Sequence, residues 1–150
     1  MRFTSLILTA LQVFALDLLL IGQSDPGTVL QHRVMSNQLT PGELATVTLE
    51  LGVKEGFKIA KKPPPMLQLA SNPNFEVKSP VLFQEARAGK DPEYYGELKP
   101  LEISVLTRMD TPPKQYELDG KLAYIYCSEK DKYCGRSATN IKIPVIVVKK

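Results

Sequence analysis

Leu122-Ala123-Tyr124-Ile125-Tyr126-Cys127, then Ser128-Glu129-Lys130-Asp131-Lys132-Tyr133, then Cys134-Gly135-Arg136, and after a short polar stretch Ile141-Lys142-Ile143-Pro144-Val145-Ile146-Val147-Val148: this segment decides the fold. Tyr124 and Tyr126 alternate with Ala123, Ile125 and Cys127, which is the period-2 pattern of a strand. Ile141, Ile143, Val145 and Val147 share one parity and predict a second strand. Between the cysteines lie four charged residues, Glu129, Lys130, Asp131 and Lys132, so a solvated hairpin loop is expected there. Strand pairing would hold Cys127 and Cys134 close in space. Such a pair can form a disulfide, and an exposed pair can also exchange it.

Outward from this hairpin the chain reads as strands from Thr28 onward, with no convincing amphipathic helix. Its 12 prolines and 9 glycines interrupt it at short intervals. Thr28 to Met35 predicts a first strand. Pro41-Gly42 predicts a turn into Glu43 to Leu51, where Ala45, Val47, Leu49 and Leu51 face in and Thr46, Thr48 and Glu50 face out. Glu55-Gly56 turns the chain into Phe57 to Ala60. Pro63-Pro64-Pro65 cannot donate ladder hydrogen bonds, so an extended edge or a crossing between sheets is expected. Met66 to Ala70, Phe75 to Lys78 and Val81 to Gln84 read as short strands. A polar loop follows from Ala86 to Gly96, then a strand from Leu98 to Thr107. Thr111-Pro112-Pro113 and Asp119-Gly120 are expected turns. Eight or nine short strands at this spacing predict an all-β, immunoglobulin-like antiparallel β-sandwich. The usual immunoglobulin disulfide joins strands far apart in sequence, whereas the cysteine pair here is local.

The N-terminus reads as a signal segment: Arg2 gives a positive start, and an apolar run extends from Leu6 to Ile21. Gly22 and Ser24 suit a cut before Asp25, which leaves residues 25–150 as one domain. An uncleaved anchor is the alternative, with Asp17 and Gln12 weakening the apolar run. Export, to a periplasmic or other extracytoplasmic space, would put the cysteines where a pair is normally oxidised. The formal net charge is +3, and removal of residues 1–24 takes one charge of each sign, Arg2 and Asp17, so it stays +3. That mild, unclustered charge gives no indication of nucleic-acid binding.

Three groups of residues bear chemistry. The first is the cysteine pair, with Lys130, Lys132 and Arg136 favouring a thiolate and Glu129 and Asp131 opposing it. The second is Glu93-Tyr94-Tyr95-Gly96, adjacent tyrosines in a polar loop that can cover a neighbouring site. Gly96 is expected to free that loop to move. An alternative is that one tyrosine packs and the other is exposed. The third is metal, for which two cysteines, four methionines and His32, the lone histidine, make a poor ligand set. His32 is expected to be an ordinary edge or half-buried residue. No cofactor is implied.

These features together resemble the N-terminal extracytoplasmic domain of the thiol:disulfide interchange protein DsbD family, over most of residues 38–148. The resemblance rests on Pro41-Gly42-Glu43 with the strand after it, and on Lys54-Glu55-Gly56-Phe57-Lys58-Ile59. It rests also on Pro92-Glu93-Tyr94-Tyr95-Gly96, on Tyr126-Cys127-Ser128 through Cys134-Gly135-Arg136, and on Ile143-Pro144-Val145. It implies an immunoglobulin-like fold whose cysteines pass reducing equivalents between thioredoxin-like proteins. It implies a cap whose aromatic, here Tyr94, shields the cysteines, with Cys134 forming the mixed disulfide and Cys127 resolving it. The chain departs from the family at Pro92, at Lys58 and Ala60, and in an inter-cysteine spacing one residue longer.

Two functions follow as expectations. One is an exported, monomeric thiol–disulfide oxidoreductase module acting through Cys127 and Cys134. Its partners would be thioredoxin-like or membrane thiol–disulfide proteins, since the chain carries neither a multi-span membrane domain nor a Cys-x-x-Cys thioredoxin domain. The other is a non-enzymatic β-sandwich binding module in which the hairpin disulfide is a structural staple.

Overall fold

The computed structural model describes residues 28–150, and the signal segment read at residues 1–24 lies outside the described residues. Twelve strands follow one another: β1 (Leu30–Ser36), β2 (Gln38–Leu39), β3 (Leu44–Val53), β4 (Phe57–Ile59), β5 (Met66–Leu69), β6 (Phe75–Val77), β7 (Val81–Leu82), β8 (Glu85–Arg87), β9 (Glu97–Leu98), β10 (Leu101–Thr107), β11 (Gln115–Ser128) and β12 (Cys134–Val147). No helix occurs among the described residues. One sheet has the order β1-β3-β10-β6, and the other has β2-β12-β11-β5-β7 with β4 also on β11. Strands β8 and β9 form a small separate ribbon. The chain is an immunoglobulin-like β-sandwich, antiparallel except where β2 runs parallel to β12.

Alternation builds the core. Along β10 every second residue is buried (Leu101, Ile103, Val105, Thr107), and β3 supplies Val47, Leu49 and Leu51 beside them. The facing sheet contributes Leu118, Leu122 and Tyr124 from β11, and Ile141, Ile143, Val145 and Val147 from β12. Each such aliphatic side chain contributes roughly 1.5–3 kcal/mol when fully buried. The Tyr124 hydroxyl is satisfied by the backbone N–H of Leu30, 3.3 Å away.

Three expectations are corrected. Asp119-Gly120 is not a turn but lies mid-way along the 14-residue β11, with Gly120 opposite Ile141 on one side and Leu69 on the other. A Cβ on Gly120 would fall 2.9 Å from Leu67 Cδ1 and 3.4 Å from both Ile141 Cγ1 and Leu69 Cδ2. Glycine stands there because core side chains fill the space, and the same Asp-Gly pair reads as a turn when only local sequence is considered. The strand count of eight or nine is also too low. The supposed loop from Ala86 to Gly96 starts inside β8, which pairs with β9 across it. Finally, of the two readings of Pro63-Pro64-Pro65, an extended edge or a crossing between sheets, the crossing is excluded. Strands β4 and β5 run in one direction along the same edge of β11, and the proline tract bulges out between them.

Neither cysteine belongs to the buried core. Closing a loop of about eight residues is worth only about 2.5 kcal/mol in chain entropy. The Cys127→Ser, Cys134→Ser double variant is therefore expected to unfold cooperatively in denaturant, with an unfolding free energy lowered by no more than about 2.5 kcal/mol. A non-cooperative melt would show that the bridge holds the sandwich together.

Candidate functional site

Strands β11 and β12 pair continuously from Gln115↔Ile146 to Cys127↔Cys134. Beyond the cysteines the Ser128 N–H donates to the Tyr133 carbonyl at 2.8 Å. That bond makes Cys127 and Cys134 a non-hydrogen-bonded pair, the kind in which facing Cα atoms approach most closely. Their Cα atoms are 4.0 Å apart, and the two sulfurs form a disulfide. The loop tip is ordered by Ser128, whose Oγ accepts from the Asp131 N–H (3.1 Å) and donates to its carboxylate (3.2 Å). Lys132 takes φ 55°, the left-handed conformation that brings the chain back into β12.

Parity decides which way the bridge points. Leu118, Leu122 and Tyr124 face the core, so Cys127, of opposite parity, lies on the outer face of the sheet. Cys134 is exposed and Cys127 half-buried. The inner face of the same tip is aromatic. Phe57 and Tyr133 meet Tyr126 edge-on at centroid distances of 5.9 and 6.3 Å, and Tyr124 lies 6.3 Å from Tyr126. Gly135 makes room for that cluster, because a Cβ there would sit 2.7 Å from the Tyr126 ring. Desolvation, with Tyr126 alongside, raises the pKa of Tyr133 above the ordinary tyrosine value.

Strand β4 extends the site sideways. Its register places Lys58 directly opposite Cys127, and Phe57 opposite Ser128. Directly opposed residues share a face, so Cys134, Cys127 and Lys58 form one row on the outer surface. The next row is Arg136, Ile125 and Ala60, and Ala60 is bridged in turn to Tyr94. The Tyr95 N–H donates to Ile59 and the Lys61 N–H to Glu93, both at 2.9 Å, which fixes the cap segment as a further strand-like edge. The structure thus brings Glu93, Tyr94, Tyr95 and Gly96 to the same sheet end as the cysteines. Lys58 stands in the cysteines' own row, and Tyr94 one row along. The Lys58 ammonium lies 5.5 Å from the centroid of the Tyr94 ring and 3.1 Å from Glu129 Oε1. The hydrogen bond and charge of Glu129 raise the Lys58 pKa, partial desolvation opposes them, and Asp91 adds to the rise.

The two cap tyrosines differ. Tyr95 packs on the core and its hydroxyl donates to the Phe83 carbonyl at 3.4 Å, while Tyr94 lies half-buried on the outer face. Asp91 opens the cap with an Asx turn, its carboxylate accepting from the Glu93 N–H at 3.1 Å. Gly96 is not a free hinge as expected. A Cβ there would lie 2.3 Å from the Gly89 nitrogen and 2.5 Å from the Arg87 oxygen, so close backbone approach demands glycine. Glu85 locks this end, accepting from the Gly96 N–H at 2.7 Å and from Lys61 Nζ at 2.8 Å. Reading the sequence alone missed Glu85 and the role of Lys58. Lys58 lies 69 positions before Cys127, and nothing local in either stretch signals that they pair.

His32 lies exposed on the edge strand β1, opposite Leu51 and remote in register from the cysteine hairpin. The fold and site together define a class: an immunoglobulin-like sandwich that carries an outward-facing disulfide on its longest hairpin. No protein-family model matches the chain, and no curated protein matches it. Among solved structures it is similar to a chain of the type I cohesin–dockerin complex Coh-OlpA–Doc918 from Clostridium thermocellum ATTC 27405. That similarity has 11% identity and a TM-score of 0.46, and covers 81% of this chain and 100% of the other.

The Glu85 clamp has a pH signature. The Gly96 N–H and the Lys61 ammonium hold the Glu85 carboxyl below its ordinary value of 4.5. A depressed folded-state pKa contributes stability that is present above the unfolded value and is lost as pH falls through the folded one. Amide-exchange protection of Gly96 is therefore expected to be constant from neutral pH down to about 4.5 and to fall below it. Glu85→Ala should lower that protection at neutral pH and abolish its acid dependence. Protection that declines equally in both proteins would place the clamp elsewhere.

Proposed function

We propose that the chain is an exported thiol–disulfide exchange module that passes reducing equivalents between thioredoxin-like proteins through Cys127 and Cys134. The observation that carries this reading is the position of the bridge. It sits on the outer face of a hairpin already held by strand pairing, outside the core, with one sulfur-bearing residue exposed. A staple would add little to such a hairpin, whereas exchange needs a sulfur that an incoming thiolate can reach. The sequence resemblance to the DsbD N-terminal domain points the same way.

The chemistry balances with a dithiol donor. The donor's thiolate attacks Sγ of Cys134, the Cys134–Cys127 bond breaks, and its electron pair leaves on Cys127 Sγ. The donor's second thiol then attacks its own sulfur in the mixed disulfide and releases Cys134. Two electrons have passed to this chain, and the donor leaves as a disulfide. Reversal of these steps on an acceptor disulfide completes the transfer, with Cys134 as nucleophile and Cys127 as resolving thiol. The greater exposure of Cys134 supports that order.

The reduction potential of the pair is expected to lie between about −120 and −270 mV, the range of exchange proteins. A value below about −300 mV would favour the structural staple of a binding module. Cys127→Ser should accumulate a mixed disulfide with a thioredoxin-like protein, and Cys134→Ser should not.

The cap is the second part of the proposal: Tyr94 hinders small thiols from reaching the bridge and is displaced by a partner that binds the open state more tightly. Its place on the cysteines' face, one row along, supports this. Tyr94→Ala should speed reduction by glutathione severalfold with little change in unfolding midpoint. An unchanged rate in a folded variant would remove the shield.

A further inference from the structure

Opening the bridge puts a full negative charge on Cys127, a half-buried sulfur on a sheet whose nearby loop carries acids as well as bases. A cation in the right row would make that charge easier to form. The loop bases Lys130 and Lys132 are exposed at the tip, and Arg136 lies one row away beside Ile125. Lys58 alone is the direct cross-strand neighbour of Cys127 on β4. Cβ atoms of directly opposed residues stand about 4.5–5.5 Å apart, within reach of a flexible four-carbon stem ending in an ammonium.

We propose that Lys58 is a positioning residue for exchange: its ammonium, seated between Glu129 and the Tyr94 ring, stabilises the anion that forms on Cys127 Sγ when the bridge opens. The idea rests on the exchange reading for its purpose, but its physical content, an ion pair across β4 and β11, belongs to this chain alone. In the closed bridge there is no charge on sulfur, and the ammonium is occupied by Glu129 at 3.1 Å and by the ring face at 5.5 Å. When the electron pair arrives on Cys127, a second anion competes for the same cation. Lys58 then shares itself between Glu129 and the thiolate, and its hold on Tyr94 weakens. Departure of the leaving group and release of the cap are thereby linked through one side chain. No proton moves, because Lys58 stays charged throughout.

The other charged or titratable groups around the hairpin end are Glu129, Lys130, Asp131 and Lys132 from the loop and Arg136 from β12. Lys54 and Glu55 from the turn before β4, Lys61 from the segment after it, Asp91, Glu93 and Tyr94 from the cap, and Tyr126 and Tyr133 on the inner face of the tip are the others. Glu129 is both the acid nearest in sequence to Cys127 and the anchor of Lys58, so it opposes the thiolate twice: by its own charge and by holding the cation. Asp131 is turned toward Ser128.

The test titrates the single thiol of the Cys134→Ser chain, following the rate of alkylation by iodoacetamide against pH. An opposite charge at this range lowers a thiol pKa, and one unit is a tenfold change in thiolate fraction at fixed pH below it. In that background Lys58→Met should raise the Cys127 pKa by about half a unit to one unit, and Lys58→Arg should restore most of it. Glu129→Gln, which removes an anion and frees the ammonium, should lower it. An unchanged pKa in folded Lys58→Met overturns the inference. Should that variant not fold, an unchanged or raised pKa in Glu129→Gln overturns it equally. Iodoacetamide needs no protein partner, so a pKa that moves as described while thioredoxin-like proteins fail to exchange would sink the carrier reading and leave the ion pair standing.

Discussion

The pairing of β11 with β12 is the constraint on which the remaining structure depends. One unbroken register, from Gln115↔Ile146 to Cys127↔Cys134, runs from the middle of the sandwich out to the hairpin tip. Because side chains alternate strictly along a strand, fixing one row fixes every other. Burial of Leu118, Leu122 and Tyr124 against Ile141, Ile143 and Val145 therefore dictates that the cysteines face outward. A slip of one residue would bury the bridge and expose the core, at a cost of several side chains' transfer energy. The outward disulfide is thus enforced by apolar burial many residues away from it.

The tip divides its labour between two faces. Underneath, Phe57, Tyr126 and Tyr133 pack edge-on, with Gly135 opening the notch that receives the Tyr126 ring. Such aromatic pairs add about 0.5–1.5 kcal/mol each beyond their area. They stiffen a hairpin end that projects beyond the main core. Above, the disulfide row carries Lys58 and leads to the cap. The packed aromatic underside thus stands opposite the accessible face that carries the bridge. The Glu129 N–H bond to the Gly56 carbonyl, 2.9 Å, ties the tip to the neighbouring turn as well.

The proline tract interrupts the sheet edge next to the cap. Pro63, Pro64 and Pro65 have no N–H to offer β11, so the edge between β4 and β5 is left open and the chain bulges away. The cap segment pairs with the outer edge of β4 and of Ala60, and Phe83 donates to the Pro65 carbonyl at 3.1 Å. Glu85 fastens the Tyr95–Gly96 end, whereas Tyr94 is held at its ring by a cation. Backbone bonds from the Tyr95 N–H to Ile59 and from the Lys61 N–H to Glu93 hold the segment on both sides of Tyr94, and the cation contact is made by its ring alone.

Much of this protein was legible in the sequence. Period-2 alternation in Glu43 to Leu51, in Leu101 to Thr107 and on both sides of the cysteines established an all-β sandwich, because strand parity is written in consecutive residues. The local cysteine pair and the paired tyrosines before Gly96 were equally visible. Only the tertiary structure decided what lies opposite what. Asp119-Gly120 reads locally as a turn, and it is the packing of Leu67, Leu69 and Ile141 over Gly120 that makes it mid-strand. Gly96 reads as a hinge, and the backbone at Arg87 and Gly89 shows it to be a close contact. Lys58 stands out in the sequence only as a departure from the family it resembles, until β4 sets it against Cys127. Pairing partners separated by tens of residues are chosen by the burial of the whole core, and no local pattern of residue types records that choice.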